Sequence, residues 1–165
     1  MAVIGIDPGT ALTGFGVVQE NANGNLGVID YGVIETSTDE NDASRLQIIY
    51  SKICDILTLY NIESCAVERL FFQKNVKTAI SVGQARGVIL LALNQNHLEI
   101  HEYNPVEIKQ AVTGYGQASK KQVQEMVKVI LALDHIPKPD DAADALAVAI
   151  CHIHSRKLNK MGQGR

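Results

Sequence analysis

The sequence predicts an α/β domain built on a mixed sheet of five strands flanked by helices. Three strand-like segments follow one another near the N-terminus with short connections, so we expect them to pair antiparallel. Two further strand-like segments each follow a helical segment, and such crossovers place strands parallel. The length of 165 residues, 46% of them hydrophobic, suits one compact core.

The first three strands are predicted over residues 2–7, 14–20 and 26–36. The segment 21–25 joins the second strand to the third, and its three asparagines and one glycine favour a hairpin turn. This arrangement predicts an antiparallel meander.

The middle of the chain alternates between helical and strand-like patterns. In order, it contains a helix from Asn41 or Asp42 to about Tyr60, a strand over 64–68, a helix capped by Asn75 that reaches about Asn94, and a strand over 98–103. Strands reached through helices in this way are expected to run parallel, and the ligands of such sheets lie beyond the carboxyl ends of the strands.

The last third of the chain is predicted to be helical. Pro105 can start a short helix, since the first helical position needs no N–H. Ser119 and Gln122 fit a capping box for a helix to about Leu133. Prolines 137 and 139 precede the final helix. We therefore expect a single domain over residues 1–158 and a flexible basic tail over 159–165.

Several protein classes do not fit the sequence. Cys54, Cys65 and Cys151 lie far apart in apolar segments, which is typical of reduced core residues rather than of disulfides or zinc ligands. No apolar run approaches the roughly 18 residues that span a bilayer, and no secretion signal is recognisable. We expect a cytoplasmic protein without a membrane partner.

The charge is unevenly distributed along the chain. The net charge of −3 argues at first against a nucleic-acid partner. Residues 1–68, however, hold ten acidic and two basic side chains, whereas residues 69–165 hold thirteen basic and eight acidic ones. Part of the basic excess is a solvated C-terminal tail, and the remainder is available to contact phosphates.

Four carboxylates stand at positions where they can meet. Asp7 ends the first strand and Glu68 ends the fourth, so both should emerge at one sheet edge. Asp141 and Asp144 open the final helix three residues apart, which places them on one helical face. The helix can therefore deliver them to the same edge.

Each of these acids also has an ordinary explanation. Asp7 before Pro8 could be a turn residue, and Asp140 or Asp141 could cap the final helix. Only one acid of the helix can serve as a cap, however, and a glutamate at the end of a buried strand needs a cation or a donor. Carboxylates without clustered histidine or cysteine select Mg²⁺ or Mn²⁺, and two such ions are the usual device for phosphodiester cleavage.

Aromatic and basic residues after the fourth strand suggest contacts with DNA. Phe71 and Phe72 stand among polar and basic neighbours and could stack on exposed bases, although one of them could equally belong to the core. The candidate DNA-binding residues of this segment are Phe71, Phe72, Lys74, Asn75 and Lys77.

Motifs spread over nearly the whole chain resemble one known family. They are Gly5-Ile6-Asp7-Pro8-Gly9-Thr10, Val67-Glu68 followed by Phe71, Gly83-Gln84-Ala85-Arg86-Gly87, and Asp141-Ala142-Ala143-Asp144-Ala145-Leu146-Ala147. In order and spacing they resemble the RuvC family of bacterial Holliday-junction resolvases, which have a ribonuclease-H-like fold.

This resemblance implies a homodimeric endonuclease that makes paired nicks in opposing strands of a four-way DNA junction and leaves ends that a ligase can seal. It implies two Mg²⁺ ions per active site, replaceable by Mn²⁺, held by residues matching Asp7, Glu68, Asp141 and Asp144. It also favours Phe71 as a DNA-facing residue, places Lys109 and Lys120 at DNA-contacting positions, and implies branch-migration motor proteins as partners.

Two features leave alternatives open. Ala79, Gly83 and Gly87 give the second helix a face of small residues, which suits either a subunit interface or close packing on its own sheet. His152 and His154 lie two or more turns beyond Asp144, so we interpret them as surface or core residues rather than catalytic groups.

Two other functional classes fit parts of the sequence. The Asp7-Pro8-Gly9-Thr10 loop also resembles the phosphate loop of actin-like ATPases and sugar kinases, but those proteins need a second such loop and a much longer chain. A non-catalytic junction-binding protein would not need all four acids. The sequence therefore favours the nuclease.

Overall fold

The computed structural model describes residues 1–69 and 76–162, which form five strands and five helices. The strands are β1 (Ala2–Asp7), β2 (Leu12–Glu20), β3 (Leu26–Glu35), β4 (Ser64–Glu68) and β5 (Ile100–Tyr103). The helices are α1 (Asp42–Leu59), α2 (Val76–Gln95), α3 (Pro105–Thr113), α4 (Lys120–Ile130) and α5 (Asp140–Gly162).

The sheet has the strand order β3-β2-β1-β4-β5. Strands β1, β2 and β3 form an antiparallel meander, while β4 runs parallel to both β1 and β5. The predicted mixed topology is therefore confirmed, and β1 is the central strand. Short connections produced the antiparallel pairs, and helical crossovers produced the parallel ones.

Each face of the sheet is covered by its own group of helices. Alternate residues of β1 point to opposite faces, so Val3 packs with α3, α4 and α5, whereas Ile4 packs with α1 and α2. The first half of α5 is nearly all apolar and is buried from Ala145 to Ile153. This burial holds the N-terminal end of α5, with its acids, against the sheet.

Helix capping agrees with the sequence where the signal was clear. Ser119 accepts a hydrogen bond from the Gln122 amide, and the Gln122 side chain accepts one from the Ser119 amide, which completes the predicted capping box. Asn41 caps α1 as expected. Asn104 caps α3 in a second capping box with Glu107, and this box was not predicted.

Some element boundaries differ from the prediction. Helix α4 ends at Ile130 rather than near Leu133, because Ala132 adopts a left-handed conformation with φ of 50°. Strand β5 begins at Ile100 rather than at residue 98. Helix α5 continues to Gly162, four residues into the segment expected to be a flexible tail.

The described residues contain no helix long and apolar enough to cross a membrane. All three cysteines are free, and Cys65 and Cys151 are buried, as expected for core residues.

Candidate active site

The first two carboxylates emerge side by side from the sheet. Residues Ile6 and Val67 are register partners in the parallel pair of β1 and β4, so Asp7 and Glu68 leave adjacent strands at the same edge. Parallel pairing is what makes this possible, since the carboxyl ends of both strands then coincide. Both residues therefore lie at the sheet edge that the strand pattern indicated, and their role as cation ligands stays a prediction.

Helix α5 brings the other two carboxylates to this edge. Asp141 lies in the first turn of α5 and Asp144 in the second, on the part of the helix that packs on β1 and β2. Both act electrostatically on Asp7, so the structure gathers all four predicted acids in one place.

Among the four acids, Asp7 has the most strongly shifted pKa. Burial raises its pKa from 3.8 to about 8, and the nearby carboxylates Glu68, Asp144 and Asp141 add to this effect. Asp7 and Glu68 also share a hydrogen bond, which raises the pKa of Asp7 and opposes the rise for Glu68. The pair therefore holds a proton at neutral pH.

The pKa values of the neighbouring acids Glu68 and Asp144 are raised as well. Burial raises the pKa of Glu68, and the charge of Asp144 raises it further. Burial also raises the pKa of Asp144, although the ion pair with Lys120 opposes this change. Negative charges that are partly buried together are costly unless a cation compensates them.

The donor set fits a hard divalent cation in its chemistry. Carboxylate oxygens without imidazole or thiolate ligands are typical of Mg²⁺ and Mn²⁺ sites. As the side chains stand, no three aspartate, glutamate, histidine or cysteine side chains among residues 1–69 and 76–162 converge on one point suitable for an ion. Ligation therefore requires these side chains to rotate toward one another.

Two lysines line the cavity beside the acids. Lys109 from α3 and Lys120 from the first turn of α4 enclose, with Glu68 and Asp144, a cavity of about 250 Å³. The Lys120 Nζ lies 3.0 Å from a carboxylate oxygen of Asp144 and 3.5 Å from one of Asp140. Burial alone would lower the pKa of Lys120, but these acids raise it, so the side chain stays charged.

A larger groove lies elsewhere on the molecule. It has a volume of about 740 Å³, runs between α3 and α5, and is lined by Val106 and Leu158 among others. Its histidine, His154, is tied down through Nδ1, which lies 2.9 Å from the Ala111 carbonyl oxygen. The residues that line the groove do not include the clustered acids, so the groove is separate from the carboxylate site.

The predicted DNA-binding segment after β4 lies outside the described residues. This applies to Phe71, Phe72, Lys74 and Asn75, and also to the side chain of Lys77. Their expected DNA contacts stay predictions.

The loop after Asp7 is tethered by residues that the sequence did not single out. Thr13 Oγ1 donates to the Gly9 carbonyl at 2.6 Å, and Thr36 Oγ1 donates to the Thr10 carbonyl at 2.6 Å. Arg45 Nε in turn donates to Thr36 Oγ1 at 2.9 Å. Thr13 and Thr36 are buried, and the available signal was a threonine directly beside an apolar strand run in each case.

His152 belongs to the core. Its Nε2 lies 2.7 Å from the Ser64 hydroxyl and its Nδ1 lies 2.9 Å from the Tyr103 hydroxyl. Burial lowers its pKa to about 4, with His101 and Arg156 contributing, so the ring is neutral at physiological pH. It links α5 to β4 and β5, as a core residue would.

Comparison with known proteins gives a consistent result. The sequence matches the family model of crossover junction endodeoxyribonuclease RuvC over residues 3–152. A protein named crossover junction endodeoxyribonuclease RuvC from Caldicellulosiruptor saccharolyticus is 55% identical over 155 residues, which cover 94% of this chain and 93% of that protein.

Solved structures agree with the sequence match. The structure of Thermus thermophilus RuvC superposes with a TM-score of 0.90 at 35% identity, covering 96% of this chain and 97% of that one. T. thermophilus RuvC in complex with a Holliday junction substrate gives a TM-score of 0.88 at 32% identity, with 96% of each chain covered. The ribonuclease-H-like fold implied by the sequence is confirmed, and the chain belongs to the RuvC family of crossover junction endodeoxyribonucleases.

Proposed function

We propose that this chain is a Mg²⁺-dependent endonuclease that resolves four-way DNA junctions by paired nicks in opposing strands. The observation that carries the proposal is the group of four carboxylates at one sheet edge, in a chain of the RuvC family. A relative of the same fold is known in complex with a Holliday junction substrate, which supports junction DNA as the ligand here.

Asp7 is the residue best placed to hold the cations. It ends the central strand, and its carboxyl interacts with all three other acids. Glu68, Asp141 and Asp144 would hold the cations together with Asp7. Two bound Mg²⁺ ions would supply an activated water and stabilisation of the leaving 3′ oxygen. Mn²⁺ is expected to substitute.

The side chains of this site divide into two roles. The carboxylates would hold cations, and because burial and the neighbouring acids raise the pKa of Asp7 to about 8, cation binding would compete with protonation of this carboxyl. Lys109 and Lys120 line the same cavity as Glu68 and Asp144, and both lysines would contact phosphate. The N-terminus of α4, where Lys120 lies, also favours an anion. Phe71 and its neighbours would add stacking on bases of the open junction.

A second copy of the chain is needed to nick two strands, and α2 offers a face for it. Ile80 is 60% exposed and Leu91 is 49% exposed on this helix. Between them, a Cβ atom at Gly83 or Gly87 would meet no atom of the described residues within 4 Å. This apolar outer face supports a homodimer whose two active sites address opposing strands. Branch-migration motor proteins remain expected partners.

The direct test is cleavage of a synthetic four-way junction beside a linear duplex that contains the same sequences. We expect paired nicks in the junction with Mg²⁺, no cleavage in EDTA, and little cleavage of the duplex. A ligase should seal the products without further processing. Junction binding without any cleavage in Mg²⁺ or Mn²⁺ would instead indicate a non-catalytic junction-binding protein.

A further inference from the structure

Helix α5 touches the sheet at backbone level, and Gly14 is the point of contact nearest the acids. A Cβ atom built on Gly14 would lie 2.0 Å from the carbonyl oxygen of Asp141 and 2.6 Å from its carbonyl carbon. Both atoms belong to the backbone and cannot move aside by rotation of a side chain. Only glycine permits α5 to lie this close to β2.

The same glycine is directly linked to the other side of the active site. Gly14 is the register partner of Asp7 in the antiparallel pair of β1 and β2. It therefore touches the backbone of one carboxylate residue and pairs with that of another. Gly5 makes a second close backbone contact with α5, since a Cβ there would lie 2.2 Å from the Ala145 carbonyl oxygen.

We propose that Gly14 is a positioning residue that sets the separation between Asp7 and Asp141, and through it the affinity of the site for divalent cations. This inference rests on the proposed function of the carboxylates as cation ligands. Gly14 has no side chain to offer to a cation or to DNA. Its role is to fix how far the first turn of α5 stands from the sheet.

The size of the expected displacement supports this role. Ordinary van der Waals contact of a Cβ begins at 3.4 Å, so an alanine methyl at 2.0 Å from the Asp141 oxygen would push the helix start away by about 1.4 Å. Ligand positions around a cation tolerate only about 0.2 Å. Losing the support of a ligand typically costs about 10-fold to 100-fold in metal affinity. Gly14 also has no positive φ, so alanine adds only the methyl group.

The experiment compares Gly14→Ala with two matched controls. In Gly27→Ala the added methyl meets no atom of the described residues within 4 Å. In Ile150→Ala a fully buried side chain of α5 is shortened, which destabilises the protein without pushing the helix off the sheet. For each protein we would measure urea unfolding, Mg²⁺ and Mn²⁺ binding by calorimetry, and junction binding in EDTA, below the unfolding temperature.

Gly14→Ala should weaken Mn²⁺ binding about 10-fold or more while junction binding in EDTA changes less than about threefold. Ile150→Ala should lose stability but keep its metal affinity, and Gly27→Ala should keep both. Parent-like metal binding by folded Gly14→Ala would overturn the proposal. Equal loss of metal affinity in Ile150→Ala would also overturn it, because the effect would then follow from general destabilisation.

A longer ligand provides a rescue test. Asp141→Glu adds one methylene, which should weaken metal binding in the parent but partly restore it in the Gly14→Ala background. Absence of any restoration would contradict a displacement of Asp141. If Gly14→Ala does not fold, Asp141→Glu in the parent background tests whether the separation between Asp7 and Asp141 sets metal affinity. Unchanged metal affinity in that variant would overturn the proposal.

These outcomes are separable from failure of the proposed function. If the parent protein binds no divalent cation, or binds it equally well after Asp7→Asn, the carboxylates are not the cation site and the proposed function fails. If the parent binds cations through Asp7 and Gly14→Ala binds them equally well, only the positioning role fails.

Discussion

Replacing Asp7 with asparagine tests the electrostatics of the site in the absence of metal and DNA. The pKa of Asp7 is 3.8 in an unperturbed chain and about 8 in the folded protein. Between these values the folded state binds a proton that the unfolded state has lost. The contribution of Asp7 to the free energy of unfolding is therefore greatest at low pH and falls as the pH rises toward 8.

The slope follows from proton linkage. One extra proton in the folded state corresponds to a loss of about 1.4 kcal/mol per pH unit, or roughly 3 kcal/mol between about pH 5 and about pH 7. Asparagine does not titrate, so Asp7→Asn removes this slope. Because Asp7 and Glu68 share a hydrogen bond, the difference between the two curves reports the proton held by this pair.

The assay is urea unfolding in EDTA across this pH range. Between about pH 5 and about pH 7, the unfolding midpoint of Asp7→Asn should rise relative to that of the parent by roughly 1 to 3 M urea, given urea m-values of about 1–3 kcal/mol/M. Asp39→Asn, which changes an exposed loop acid, serves as the control and should track the parent. If the Asp7→Asn and parent curves run parallel, Asp7 does not hold a proton in the folded protein.

Three further predictions concern DNA binding, assembly and the core. Lys109→Ala and Lys120→Ala should each reduce the salt dependence of junction binding by about one phosphate contact, measured as the slope of log affinity against log salt. Unchanged slopes in both variants would show that these lysines are solvated and do not contact phosphate. Gly83→Leu should give monomers by light scattering that remain folded by circular dichroism, and singly nicked cruciform plasmid should accumulate. The reason is that the added side chain has space among the described residues of its own chain but not at a subunit interface. A variant that stays dimeric with paired nicking would place the interface elsewhere. His152→Phe should lower the free energy of unfolding by roughly 1–3 kcal/mol, since Ser64 loses a buried partner, without abolishing nicking; loss of nicking by the folded variant would give His152 a functional role.

The sequence was informative where local patterns decide structure. Asp7 and Glu68 could be placed because each ends a short apolar run, and parallel pairing of those runs brings their ends together. Asp141 and Asp144 could be placed because helical spacing puts them on one face. The Ser119 capping box could be read from two residue types at fixed spacing.

The sequence was silent where contacts are long-range. Nothing local indicates that Gly14 touches the backbone of residue 141, because 127 positions separate them and only the packing of α5 on β2 brings them together. The tether from Arg45 through Thr36 to Thr10 likewise depends on how β3 and α1 meet the first loop. The sequence also did not decide whether the small residues of α2 face the sheet or the outside. In the structure, Gly83 and Gly87 face away from the core formed by the described residues.

The central claim is that Asp7 lies at the heart of a cation-dependent nuclease site, and one measurement tests it most directly. Purified Asp7→Asn and parent protein are compared for nicking of a synthetic four-way junction in Mg²⁺ and for junction binding in EDTA. We expect the variant to lose nicking while its junction affinity in EDTA holds or rises, because asparagine leaves no more negative charge near the phosphates than the parent site carries. Mg²⁺-dependent nicking that persists in the pure variant would contradict this role for Asp7.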